Sequence, residues 1–320
     1  MADGILNTAQ IMDTVTELRY AVDEYNQNER QWDDLLCERT HEETERVYQR
    51  SMGYQPVGEG GTPSRQRPYY QDIDLPEPLR YGLGTDVTQQ AVEDGLDRKS
   101  MLKNHTQALD ADRRWVTKVC TRAMLLDGGW WDGTATPPKW EENSFYSSHD
   151  HYLAYNVSGT PTLAHFTEIR RHIQHHGFGL ERDGGVIATI NGDMADRITN
   201  LAEWATAPGP MPTPVMSQLQ ALGLRPGFRA GGCLVAVSDM IPDYYCTAWA
   251  VNQKPLHWRM PRGMALDAGV LTWSEDGNVR TYNSFDYIRR GSAKATLRGA
   301  GVAAYFNSGT WTDPTISLTA

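Results

Sequence analysis

The pattern that most limits how this chain can fold lies in residues 92–126, which read as one long amphipathic helix. Leu102, Leu109, Val116 and Ala123 recur every seven residues, and Trp115, Val119, Cys120 and Leu126 widen that stripe. No Pro or Gly interrupts it after Gly95. At ~1.5 Å per residue the uninterrupted part spans roughly 45 Å, well beyond the usual three turns. Such a helix in a mixed chain acts as a strut. A Gly- and Pro-rich basic segment precedes it, strand-like segments follow it, and no recognisable catalytic motif accompanies it. That company points to an assembling protein rather than an enzyme.

The 320 residues are 40% hydrophobic, enough for one large or two modest domains. The formal net charge of -10 argues against binding nucleic acid through a general basic surface. It is compatible with enclosing nucleic acid, because an acidic inner wall would not hold it fast. Lys99, Lys103, Lys118, Lys139, Lys254 and Lys294 are the only lysines, so most of the 30 basic residues are Arg. Arginine suits buried subunit contacts; a GC-rich genome would produce the same bias. Cys37, Cys120, Cys233 and Cys246 form no CxxC pair and read as buried thiols of a cytoplasmic chain. The N-terminus has no signal-peptide pattern, and no apolar run reaches the ~20 residues of a membrane span.

Residues 1–50 read as helical, with Ile5, Ile11, Val15, Leu18 and Val22 as a narrow stripe continued weakly by Trp32, Leu35 and Leu36. A stripe so thin suits packing on a neighbour rather than into a core. Residues 51–80 change character. Glycines and prolines around 58–63 signal a turn between two extended arms, flanked by Arg46, Arg50, Arg65 and Arg67. Further on, residues 162–177 predict a helix with Leu163, Phe166, Ile169 and Ile173 inward, and 185–190 predict a buried strand. A helix follows over 194–205, then a Pro-rich loop at 207–214. Short strands are expected at 233–237, 244–251, 270–273 and 279–282, and glycine-punctuated strand at 295–306. The class is α+β.

Histidine provides the sharpest chemical cluster. His149 and His151 share a face if their segment is a strand, and His172, His175 and His176 sit at helical spacing with His165 one further step back. Asp150 or Glu168 could add a carboxylate to a zinc or iron site. The helical set lacks the HExxH order, so structural or solvated histidines are expected and no metal or cofactor is assigned. No GxSxG elbow or peptidase-type cysteine occurs, and the glycines at 58–61 lack a phosphate-loop ending. Asp110 and Asp112 diverge by about 200° around a helix and cannot share a site. Asp110 with Arg113 or Arg114 reads as a surface or interface ion pair. Trp130, Trp131 and Trp140 read as packing at a domain junction rather than a stacking platform.

Leu109-Asp-Ala-Asp-Arg-Arg114 inside a long helix that ends in Arg122-Ala-Met-Leu-Leu126 resembles the major capsid proteins of tailed bacteriophages. The stretch Glu43-Thr-Glu-Arg46, followed by Gln55-Pro-Val-Gly-Glu59 and Arg65, looks like their arm and extended loop. His149-Asp-His-Tyr152 resembles a stretch of one branch of the family. The run from Arg289 to Val302 is similar to the closing strands of their peripheral domain.

The resemblance spans roughly residues 40–315 and rests on the order of features, not on one motif. It implies an N-terminal arm (1–45), an extended loop (46–80), a peripheral domain with the spine helix (81–145 and 280–320) and an axial domain (146–279). It further implies hexamers and pentamers closing into an icosahedral shell around double-stranded DNA in a virion, assembled in the host cytoplasm. Scaffolding, portal and decoration proteins would be further partners, with no membrane partner and no catalytic residue. Arg46, Arg50, Glu59, Arg65, Arg67, Asp112 and Arg113 are the expected subunit contacts.

Two departures from the family stand out. Some relatives cross-link subunits through a loop lysine, whereas residues 40–98 contain none, so no cross-link is expected. The first 40 residues are short for a cleaved scaffolding segment and fit an intact arm. Alternatives are a protein nanocompartment shell, which shares the fold, or a metalloenzyme using His149, His151 and His172.

Overall fold

The computed structural model describes residues 8–28, 32–48, 70–88, 90, 94, 97–126, 151–180, 184–199, 225–251, 253–276 and 281–318. The helices are α1 (Thr8–Asn28), α2 (Trp32–Leu36), α3 (Arg98–Leu125), α4 (Leu163–His175) and α5 (Gly192–Thr199). The strands are β1 (Cys37–Thr40), β2 (Thr44–Tyr48), β3 (Tyr70–Asp74), β4 (Leu79–Thr88), β5 (Tyr152–Ala154), β6 (Val186–Ile190), β7 (Arg225–Ala230), β8 (Cys233–Val237), β9 (Tyr245–Ala250), β10 (Leu256–Arg259), β11 (Leu271–Asp276), β12 (Thr281–Ala295) and β13 (Gly301–Tyr305).

The long helix is α3, 28 residues and about 42 Å long. It begins later than the apolar pattern suggests. Asp97 caps it, its carboxylate accepting from the Ser100 N–H at 2.7 Å. Its buried face also differs from the heptad stripe: Leu102 is exposed, while Met101, His105, Ala108, Asp112, Trp115, Val116, Val119, Cys120, Met124 and Leu125 turn inward. The buried polar residues His105, Asp112, Thr117 and Thr121 obscure that face in the sequence.

The six-stranded sheet runs β5-β13-β9-β6-β8-β7. Alternate residues feed two cores, as the two-residue strand period requires. Ile187, Leu234, Ala236, Tyr245, Trp249, Ala303 and Tyr305 face the C-terminal half of α3. Val186, Ala188, Ile190, Val235, Ala248 and Val302 face α4 and α5 through Phe166, Ile169, Ile173, Met194 and Ile198. Cover on both faces explains why β6, β8 and β9 are fully buried and read as near-continuous apolar runs, broken only by Thr189 and Thr247.

The second sheet is organised by β12, a 15-residue strand. Its first part lies between β4 and β11; its last four residues pair with β10, which pairs in parallel with β1. Strand pairing therefore crosses the boundaries expected from sequence. β10 and β11, from within 146–279, join β12, whereas β13, from within 280–320, joins β5 and β9. Gly291 lets β12 pass Trp258, since a Cβ there would sit 2.1 Å from the indole nitrogen.

The N-terminal region corrects two expectations. Ile11, Val15, Leu18, Val22 and Tyr25 of α1 pack into this chain's own core, against Met101, Ala108, Val270, Phe285 and Tyr287. Cys37–Thr40 and Thr44–Tyr48 are strands rather than helix, because β1 and β2 find partners in β10 and β3. The helix expected at 194–205 is described only as α5; the Pro-rich loop, the three tryptophans at 130–140 and the turn at 58–63 lie outside the described residues. All four cysteines are buried thiols, with Cys37 and Cys120 sulfurs 3.8 Å apart.

Candidate functional site

Three features of the described residues are candidates for a role: a buried junction, the β2–β3 ribbon and a histidine cluster. The junction centres on Arg289, 5% exposed on β12. Its guanidinium donates to Asp33 of α2 at 2.8 Å and lies 3.7 Å from Asp112 of α3. The Tyr25 hydroxyl of α1 donates to the same Asp112 carboxylate at 2.9 Å. Asp33 also accepts from Arg39 of β1 at 2.7 Å, and Arg39 reaches Asp34 and the Leu266 carbonyl.

Two carboxylates thus meet two guanidiniums where five elements converge. Burial opposes the charge on Arg289, but Asp33 and then Asp112 outweigh it and raise its pKa. Burial, with the Asp112 charge behind it, pushes the Tyr25 phenol well up, so it stays a donor. Asn26 adds a two-way clip, donating to the Val270 carbonyl at 2.9 Å and accepting from its N–H at 2.8 Å. A cavity of ≈ 440 Å³ beside the junction is bordered by Tyr81, Ala108, Trp115, Tyr287 and Leu318. Asp112 and Arg289 also line it, already engaged as described.

The hairpin pairs β2 with β3 in register from Thr44↔Asp74 to Tyr48↔Tyr70. Arg46 makes a two-pronged contact with Asp72, at 2.8 and 3.2 Å, which holds that exposed carboxyl below its usual range. The root is anchored. Ile73 and Leu75 are buried, Leu75 N–H donates to Glu43, and Arg259 and Ser292 hold the carbonyls of Leu75 and Pro76.

Of the expected contact residues, Arg46 lies on this hairpin, while Arg50, Glu59, Arg65 and Arg67 lie outside the described residues. Arg113 pairs with Asp110 at 3.0 Å on the exposed face of α3, the ion pair read from the sequence, and its guanidinium lies 5.3 Å from the centre of the Tyr25 ring. Asp112 instead points into its own chain. The partners of Asp112 were missed in the sequence. The Asp33-Asp34 pair before Arg39, and Arg289-Arg290 within a strand, were the available signal.

Three histidines come together: His151, His172 and His176 bring candidate ligand nitrogens within 4.8 Å of one another. His165 does not join them. Its Nδ1 accepts from the Thr162 N–H at the start of α4, at 2.9 Å. His175 is exposed, and His149 lies outside the described residues.

No family model and no curated protein matches the sequence. Solved structures do match in fold. A chain from Mycobacterium phage Patience is 17% identical, with a TM-score of 0.65, covering 98% of this chain and 92% of that one. The capsid of an empty GTA particle is 13% identical, with a TM-score of 0.54, over 95% and 100%. The capsid of cyanophage Pam1 is 11% identical, with a TM-score of 0.52, over 86% and 89%. The α+β fold built on α3 and the two sheets is shared with the Mycobacterium phage Patience chain and with the capsid chains of the GTA particle and cyanophage Pam1.

Proposed function

We propose that this chain is a structural capsid subunit that assembles as hexamers and pentamers into an icosahedral shell around double-stranded DNA. The observation that carries this reading is the fold likeness over nearly the whole chain. The anchored β2–β3 hairpin supports it, because an exposed two-stranded ribbon has little core of its own and gains order by lying across a neighbour. Many modest contacts repeated with closed symmetry make a stable shell. The net charge of -10 suits a wall that encloses DNA without gripping it.

On this reading 1–45 is the arm, 46–80 the extended loop, 81–145 with 280–320 the peripheral domain and 146–279 the axial domain, except that β10 and β11 complete the sheet of β12 and β13 completes the sheet of β5 and β9. Arg46, Arg50, Glu59, Arg65, Arg67 and Arg113 contribute subunit contacts, while Asp112 serves the shell indirectly by holding α3 in its junction. Scaffolding, portal and decoration proteins are partners of assembly in the host cytoplasm, and the chain resides in the virion. Among the described residues no helix is long and apolar enough to cross a membrane.

Nuclease protection tests the DNA-enclosing role. Particles from infected cells should contain this chain and double-stranded DNA that survives nuclease until the shell is opened. Particles of this chain filled with protein cargo and free of nucleic acid would make it a nanocompartment shell instead.

A further inference from the structure

We infer that His151, His172 and His176 form a binding site for one divalent transition-metal ion, zinc before others, that clips the entry of β5 to the end of α4. His172 lies in the last turn of α4 and His176 is its C-cap, four residues on, so both imidazoles project from one face. His151 immediately precedes β5, and its backbone carbonyl accepts from the Ala303 N–H of β13 at 2.8 Å. Its ring centre lies 4.7 Å from that of His172 and 4.8 Å from that of His176.

The chemistry of His151 is decided by its other nitrogen. Nδ1 lies 2.6 Å from the Gly301 carbonyl oxygen, which can only accept. Nδ1 therefore carries the proton, and Nε2 presents its lone pair. A backbone carbonyl that fixes the ring and tautomer in this way is the usual support behind a metal-bound imidazole. His151 is fully buried and His176 is 6% exposed, whereas His172 is half-buried and leaves an approach for an ion.

Tetrahedral zinc with nitrogens at about 2.0–2.1 Å needs them roughly 3.4 Å apart. The observed limit of 4.8 Å therefore requires each ring to close by about 1 Å. Side-chain rotation can supply that movement, most easily at His172. Three neutral imidazoles with no thiolate favour zinc among abundant ions, and a water completes the fourth position. Binding needs the neutral imidazoles, so acid releases the metal.

The test uses full-length protein stripped with EDTA, dialysed against zinc chloride, then freed of excess. Elemental analysis should find one zinc per chain, and the thermal midpoint should rise with zinc and return with EDTA. Cobalt substitution should give the visible absorption of a tetrahedral site. His172→Gln should weaken binding by about 100-fold or more while leaving the apo midpoint near the parent's. His175→Gln, exposed on the same helix, should bind as the parent does. No retained zinc, or stoichiometric zinc that survives His172→Gln, would overturn the inference. These readings are made on unassembled subunits, so they stand or fall separately from shell assembly.

Discussion

Arg289 and Asp33 lie 256 positions apart in sequence and 2.8 Å apart in space, and their ion pair joins β12 to α2 inside the core. With Asp112 and Arg39 it welds the N-terminal segment to the long helix. Removing the guanidinium leaves Asp112 with the neutral Tyr25 hydroxyl in place of a cation, and leaves Asp33 to Arg39. Arg289→Met should therefore destabilise the subunit by about 3–5 kcal/mol, measured by urea unfolding. Arg39→Ala, at the more accessible end of the network, should do less. Equal effects would mean that Arg289 is not the centre of the junction.

Stability should fall on both sides of a neutral plateau. Burial holds the His105 imidazole below its usual range, and it contacts the Tyr287 hydroxyl at 2.8 Å. The unfolded chain therefore takes up a proton first, and stability drops as pH falls below about 6.5. Burial pushes the Cys233 thiol up to about 12. There the unfolded chain releases a proton first, so stability declines as pH rises above about 8.5. Thermal midpoints across pH 5 to 10 would check both arms, and a flat profile would contradict them. The same burial predicts that native protein resists thiol reagents until it unfolds.

A methyl group on Gly291 would meet the Trp258 indole at 2.1 Å, and that ring is itself fully buried. Gly291→Ala should cost about 1–3 kcal/mol through overpacking. Chemical denaturation measures it, and an unchanged midpoint would show that β12 and β10 shift apart freely.

What the sequence made legible depended on how each segment is buried. The helix α4 and strands β6 and β8 were readable because each shows one unmixed period: a clean apolar stripe, or a run buried on both faces. The heptad stripe misplaced α3's buried face because Asp112 and His105 lie on it, made tolerable by Tyr25, Arg289 and Tyr287 far away in sequence. Residue pattern marked strand β12 only at its two ends, because Asn283, Ser284, Asp286 and Arg290 break any apolar alternation; the stretch from Arg289 entered through the family resemblance. Strands β1 and β2 exist through long-range pairing, which local pattern does not encode. The three histidines were visible as a set, but only the packing of β5 beside α4 selects His151, His172 and His176 from it.

Arg46→Ala removes a charged contact from the exposed face of the hairpin. The unfolding midpoint of the isolated subunit should stay unchanged, since exposed pairs contribute little. Assembly yield, followed by light scattering, should fall. A variant that assembles like the parent would remove Arg46 from the subunit contacts.

The absence of lysine from residues 40–98 predicts separable subunits. Mature particles boiled in detergent should run as a single band near 35.9 kDa. A ladder of covalent oligomers would contradict that expectation.

The most direct test of the shell-forming role is electron microscopy of the purified protein, paired with its mass in solution. Closed shells, tubes or rings built from hexamers, approaching or exceeding the megadalton range, are expected. A monodisperse monomer or dimer at every concentration, with or without its assembly partners, would contradict that role.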